Sequence, residues 1–485
     1  MNWYIKRTKL ASIFAVALVI VIVVAIFQIN DFLANSQNTH NYNVKVVNVG
    51  VTYCGNSVSE AKQLIDKVKH YTNLFVLQSG SLQNSNASID AIGDYAVNSG
   101  LNLIVYMGVS SFALANNWLT GYNGRWGDQF LGIYLDDEPG GKMLDGHTYL
   151  SFPDENSPYP NAQQFIIKTE DGTISNYRLD QVNVNYMRNG TVAIEPIKVE
   201  LGNSGNVIYG TATYYKDGTI TVKNESSPSD VQSQEFPVDD TSILPYTYDE
   251  LWAACPIQNA SQAADVYVNQ PSHTIATVRS ESKSDLQMFT SDYALQWFDY
   301  ESGYDVVLTE LGWNQSIIQS IAQVRGAANL YGKDWGVMID WKYMQAPYLA
   351  SGDEIYQQMC QAYENGAKYI VVFNYSPDMK GPYGILNDDH FQALQRFWKD
   401  EVKNASVTRG QVKADAAFVL PSNFGSGLRK QQDIVWGLWA PTQQEQQIWL
   451  QLQNALSTYG QKLDIIYSDS ALPTTGQYAT LIYPS

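Results

Sequence analysis

From about residue 44 to residue 404, short apolar runs alternate with longer amphipathic stretches. Eight of the runs have strand length: Val44–Val51, Leu74–Leu77, Leu101–Met107, Leu131–Leu135, Leu286–Thr290, Asp305–Glu310, Trp335–Asp340 and Tyr369–Phe373. The segments between them carry a helical period. Ser59–His70 places Ala61, Leu64, Ile65 and Val68 on one face and stops at Thr72-Asn73, as an amphipathic helix does. Ile317–Tyr331, Glu354–Asn365 and Asp389–Val402 are punctuated in the same way by Gly332, Gly366 and Asn387. Wholly apolar strands such as Ile370–Phe373 suit a parallel sheet covered on both faces.

Repeated βα units predict an α/β fold, and eight of them predict a closed (β/α)8 TIM barrel over residues 44–404. The alternation breaks once, across 141–245, where Val207–Tyr215, the turn Lys216-Asp217-Gly218 and Thr219–Lys223 read as a hairpin. This β-rich insertion follows the fourth strand, on the face where barrel loops build active sites; it either walls the cleft or is a structural elaboration without a ligand. Residues 412–485 read as a small α/β domain: strand Ala416–Leu420, helix Thr442–Tyr459, strands Leu463–Tyr467 and Ala479–Tyr483. Such a tail offers a surface for homo-oligomer formation.

Ahead of the barrel, residues 1–30 carry Lys6, Arg7 and Lys9 and then Leu10–Phe27, in which only Ser12 is not apolar. A helix over such a run is long enough to span a bilayer, and the leading basic residues keep the N-terminus cytoplasmic and export the rest. We expect a single-pass transmembrane anchor with the bulk of the chain extracellular. A cleaved signal peptide, giving a secreted protein, is the competing reading; its apolar part is usually about 7 to 15 residues and ends in a small-x-small site.

A net charge of −18 against 30 basic residues excludes the positive surface that nucleic-acid binding needs. Cys54, Cys255 and Cys360 are too few for a disulfide framework, although Cys54 and Cys255 could pair. Seven glycosylation sequons begin at Asn86, Asn189, Asn224, Asn259, Asn314, Asn374 and Asn404. The five histidines show no metal spacing, and neither a Gly-x-Ser-x-Gly elbow nor a glycine-rich phosphate loop occurs. No cofactor and no metal are expected; Ca²⁺ held by an acid pair is a minor alternative.

Chemistry is expected at the C-terminal ends of the barrel strands. The fourth strand runs Gly132-Ile133-Tyr134-Leu135-Asp136-Asp137-Glu138-Pro139. A period of two puts Tyr134, Asp136 and Glu138 on one side, so that Asp136 and Glu138 point together into the barrel mouth. Their mutual repulsion would keep a proton on one of them at neutral pH. Other strand ends supply Tyr53, Asp292, Glu310 with Trp313, Asp340 with Trp341, and Asn374 with Tyr375. Glu310 is the first choice for a second carboxylate and Asp340 the next, while Tyr53, Tyr134, Asp292, Trp313, Asp340, Trp341, Asn374 and Tyr375 suit carbohydrate binding.

The Asp-x-Glu pair loosely resembles the end of the chitinase-like motif Asp-x-x-Asp-x-Asp-x-Glu, with Glu138 at the acid position and Asp136 at its partner. Tyr134 replaces that motif's middle Asp and removes support for a substrate-assisted mechanism. The Tyr-x-x-Asp-Glu-Pro form of the strand is similar to barrel glycoside hydrolase-like proteins. The tail resembles the amidotransferase-like domain that follows the barrel in some β-galactosidases, but no Cys or His follows His390, so it cannot carry that chemistry. These likenesses imply a glycoside hydrolase acting on a polysaccharide or surface glycan, with Glu138 as acid, Asp136 tuning it and Glu310 as nucleophile or base. The alternative is a non-catalytic glycan-binding or cell-envelope barrel.

Overall fold

The computed structural model describes residues 47–108 and 125–145, the strands of the segment from 148 to 237, and from 247 onward all but short stretches at 254–256, 258, 283–285, 405 and 469–475. The first described elements are β1 (Asn48–Tyr53), α1 (Val58–Val68), β2 (Leu74–Leu77), α2 (Asn86–Asn98), β3 (Asn102–Met107), β4 (Phe130–Leu135) and the short α3 (Pro139–Asp145). Strands β5 (Thr148–Phe152) to β12 (Glu235–Pro237) follow, among them β9 (Val192–Leu201), β10 (Asn206–Tyr214) and β11 (Ile220–Asn224). Helices α4 (Tyr248–Ala253) and α5 (Ala260–Ser282) lead to β13 (Gln287–Asp292), α6 (Gln296–Glu301), β14 (Val306–Leu311), α7 (Ile317–Tyr331), β15 (Asp334–Ile339), α8 (Gly352–Glu364), β16 (Tyr369–Val372) and α9 (Asp388–Phe397). Last come β17 (Ala416–Leu420), α10 (Gln443–Tyr459), β18 (Leu463–Tyr467) and β19 (Thr480–Ile482).

The eight expected strands close into a parallel barrel in the order β1-β16-β15-β14-β13-β4-β3-β2. Closure is made by β1 on β16, with Asn48 opposite Tyr369, and β4 pairs directly with β13, with Tyr134 opposite Phe289. The insertion therefore leaves and re-enters the barrel between adjacent strands. It is an eight-stranded antiparallel sheet with β9 and β10 near its centre, and the expected hairpin is β10 with β11, Tyr214 opposite Ile220.

Barrel strands read as continuous apolar text because both faces are covered, yet their alternate residues go to different places. Leu74, Val76, Ile104, Tyr134, Phe289, Val306, Leu308, Met338, Tyr369 and Val371 fill the interior. Their neighbours, such as Phe75, Val105, Ile133, Val307 and Ile370, join the layer beneath the helices. Side-chain caps start those helices: Ser57, Ser316, Ser351 and Asn387 each accept a backbone N–H of the first turn.

Beyond the barrel, β17, β18 and β19 form a parallel three-stranded sheet with β17 in the centre. It is fastened to α7 by Arg325, whose Nε lies 2.7 Å from Asp464, both side chains being buried. Arg325 also donates to the carbonyls of Gln461 and Leu463. No helix among the described residues is long and apolar enough to cross a membrane; the expected anchor over residues 1–30 lies outside them. Cys54 and Cys360 are free thiols, and burial pushes the Cys54 thiol up to about 12. Cys255, its suggested partner, also lies outside the described residues.

Candidate active site

Strand alternation decides which predicted residues reach the barrel mouth. Continuing the interior positions upward brings Gln78, Tyr106, Ser291, Glu310 and Asp340 into the mouth with Tyr134, and turns Tyr53, Asp292 and Asn374 outward. The Tyr53 hydroxyl donates to the carbonyl of Ser57, at 2.7 Å, and accepts its N–H, which ties down the turn after β1. Asp292 is fully buried and accepts the N–H groups of Gly140, Gly141 and Ala294, capping α3. Asn374 is fully buried, with Oδ1 accepting the N–H of Ile385. All three were expected to bind substrate, and all three instead hold loops in place. Burial also removes the Asn374 sequon from the accessible surface of the folded chain.

The strand period fails just past β4. Asp136 and Glu138 have φ of +60° and +53°, left-handed values that cost a non-glycine residue roughly 1–2 kcal/mol. The turn is pinned by the Glu138 N–H on the Ser291 carbonyl at 2.9 Å and the Thr290 hydroxyl on the Asp136 carbonyl at 3.3 Å. Its consequence is a correction: Asp136 and Glu138 do not share one side. Asp136 accepts the N–H of Asp137 and interacts electrostatically with Asp299 and Tyr304 of the outer layer as well as with Tyr106 of the mouth. Asp137 is the acid that faces the mouth, accepting hydrogen bonds from Gln78 and Tyr134. It occupies the Asp of the Tyr-x-x-Asp-Glu-Pro pattern, the one signal in the sequence that could have singled it out.

Glu138, from the turn after β4, meets Glu310 of β14 and Asp340 at the end of β15; one carboxylate oxygen of each lies within 4.8 Å of the others. Glu310 is 2% exposed, Asp340 7%, and Glu138 is half-buried. Glu310 interacts with both other carboxyls. Its Oε1 accepts from the Ser291 hydroxyl at 2.6 Å, while Oε2 is buried with no hydroxyl or N–H donor.

Burial, reinforced by Asp137, raises Glu138 above the usual carboxylate range. Burial and the neighbouring acids raise Glu310 much further and push Asp340 up to about 7. Hydrogen bonds link Asp137, Tyr134, Ser291 and Glu310 in one chain, which ties the acid of the turn to the buried carboxyl of β14.

One wall of the mouth is aromatic. Trp341 lies at centroid distances of 5.7 Å from Trp313, 4.9 Å from Tyr348 and 6.3 Å from Tyr375, the last pair parallel to within 7°. Trp341 Nε1 donates to the Tyr375 carbonyl, and its backbone N–H donates to Asp340 Oδ1 at 2.6 Å. The wall and the carboxyl cluster are therefore mechanically one unit. Tyr375 is 38% exposed, leaving its ring accessible. Trp313, Trp341 and Tyr375 are brought together as expected; Tyr348, from the loop after β15, completes the wall and carries no sequence signal.

Among the described residues, Glu138, Glu310 and Asp340 are the one set of three donors close enough to grip a metal ion. They offer hard oxygen ligands of the kind Ca²⁺ or Mg²⁺ prefers. Lys142 donates to the Asp137 carbonyl and lies 3.9 Å from its carboxylate, and among the described residues no basic side chain forms an ion pair with the three carboxyls. In comparisons with known proteins, the chain matches no family model and no curated sequence, so its function is read from this geometry.

Proposed function

We propose that the chain is a glycoside hydrolase acting on a polysaccharide or surface glycan, held at the outer face of a membrane by its N-terminal apolar run. The observation that carries this reading is the convergence of three carboxyls within 4.8 Å beside an aromatic wall at the C-terminal mouth of the barrel. Glycosidic cleavage needs one protonated and one ionised carboxyl, separated by about 5–5.5 Å in retaining enzymes and about 6.5–9.5 Å in inverting ones. Glu138, half-buried and raised by its surroundings, gives its proton to the leaving oxygen.

Asp340 suits the nucleophile better than Glu310. The Trp341 N–H supports its anion, whereas Glu310 is sealed beneath and holds the shared proton between the two. Asp136 acts through the turn and not on the substrate. The aromatic wall stacks on the sugar ring, which an apolar face with polar edges favours.

The test is a panel of aryl glycosides and polysaccharides offered to the full chain and to Glu138→Gln. Loss of the general acid is expected to lower kcat by about 10²–10⁴, with binding kept. Hydrolysis indifferent to the substitution removes the assignment. Glycan binding without turnover in the wild-type chain favours the second reading, a non-catalytic glycan-binding barrel, which the accessible Tyr375 and Trp341 rings support equally.

A further inference from the structure

At the opposite end of the barrel, where α7 and α8 finish and β15 and β16 begin, lies a cavity of about 210 Å³. Arg325, Lys333, Lys368, Arg409 and Lys413 line it, with Asp334 the acid among its lining residues. Five cations around one small hollow run against the character of a chain with net charge −18. Three are neutralised: Arg325 by Asp464, Lys333 by Asp305 and Lys368 by Asp334. Arg409 and Lys413 have no acidic partner among the described residues.

These two cations are delivered by the segment that leaves the barrel. The Gly410 N–H donates to the Tyr363 carbonyl and the Val412 N–H to the Glu364 carbonyl, both at 2.9 Å, clipping the segment across the end of α8. Gly366 and Gly410 meet there with φ of +104° and +70°, a conformation that favours glycine. Lys413 is exposed, with its Nζ beside Gly410.

Arg409 is held with one edge unused. Its Nη1 donates to the Gly366 carbonyl at 2.6 Å, while its Nε is buried without an acceptor and Nη2 meets none among the described residues. The parallel N–H groups of an Nε–Nη2 edge match two oxygens of one oxyanion. This chain uses that edge twice elsewhere, Arg125 on Asp94 and Arg429 on Asp433.

We propose that this cavity binds a phosphate group between its two cations without acidic partners, Arg409, whose Nη2 meets no acceptor among the described residues, and Lys413. Two cations without acidic partners match a dianion better than a monocarboxylate. The volume is below the roughly 300–1,000 Å³ of drug-sized pockets, which suits a small anion. The group is either inorganic phosphate or the phosphate ester of a sugar or polyol.

The experiment is isothermal titration of the full-length chain at low ionic strength with inorganic phosphate, glucose 6-phosphate and acetate. Saturable 1:1 binding of at least one phosphate is expected, with acetate at least tenfold weaker. Arg409→Gln and Lys413→Glu are each expected to weaken it at least tenfold, and Lys69→Gln, which does not line the cavity, to leave it unchanged. Arg409→Gln also loses a contact to Gly366, so Lys413→Glu, at an exposed position, is the decisive variant, its fold verified by thermal melting. Binding of both phosphates assigns the site to the free anion; binding of glucose 6-phosphate alone assigns it to an ester. No saturable phosphate binding, acetate binding as tightly, or undiminished affinity in Lys413→Glu overturns the proposal.

Discussion

Replacing Asp340 by Asn separates the electrostatics of the carboxyl cluster from its shape. Asp340 is 7% exposed, within 4.8 Å of Glu138 and Glu310, and its carboxyl is pushed up to about 7 from an ordinary value of about 3.9. The folded chain thus holds this proton more tightly than the unfolded chain. The stability it confers is complete below pH about 4 and is lost as pH rises through about 7, at up to about 1.4 kcal/mol per pH unit.

Three units give a ceiling of about 4 kcal/mol, and sharing of protons with Glu138 and Glu310 reduces the expected effect to about 2 kcal/mol. Asn keeps an acceptor for the Trp341 N–H and removes the charge. The variant is expected to melt about 2–4 °C above the wild type at pH 8 and level with it at pH 4, while losing hydrolysis. Thermal melts across pH 4 to 8 provide the measurement. Parallel curves for the two proteins would show that Asp340 ionises normally and that the cluster is not proton-sharing.

Two further outcomes follow from packing. Trp341→Ala removes the ring that joins Trp313, Tyr348 and Tyr375; at roughly 1 kcal/mol for a lost ring contact, KM should rise about fivefold with a smaller change in kcat. A change confined to kcat would argue against a sugar platform. Asp464→Ala leaves Arg325 buried without its counter-charge, a loss worth about 3–5 kcal/mol, and denaturant unfolding should show it. Unchanged stability would mean that the C-terminal sheet does not depend on this ion pair.

The sequence by itself determined the barrel. Eight apolar runs separated by capped amphipathic segments leave few ways to cover both faces of a parallel sheet, and those runs are the eight strands found. It also placed Glu138, Glu310 and Asp340 at strand ends. It did not sort those ends by face: Val306-Leu308-Glu310 and Met338-Asp340 continue the interior face and Asp292, after Ser291, turns outward, but both faces of these strands are apolar.

What the sequence could not supply lies where local periodicity stops governing direction. The left-handed turn at Asp136 and Glu138 is held by Ser291 and Thr290, some 150 positions downstream in the chain, and it exchanges Asp136 for Asp137 at the mouth. Tyr348 joins the aromatic wall from an irregular loop, and Arg409 and Lys413 reach the far cavity only because their segment is clipped onto α8. A hydrophobic pattern reports which face of an element is buried. Which side chains then meet at a turn or across a cavity depends on hydrogen bonds between distant segments, and only the folded chain brings those together.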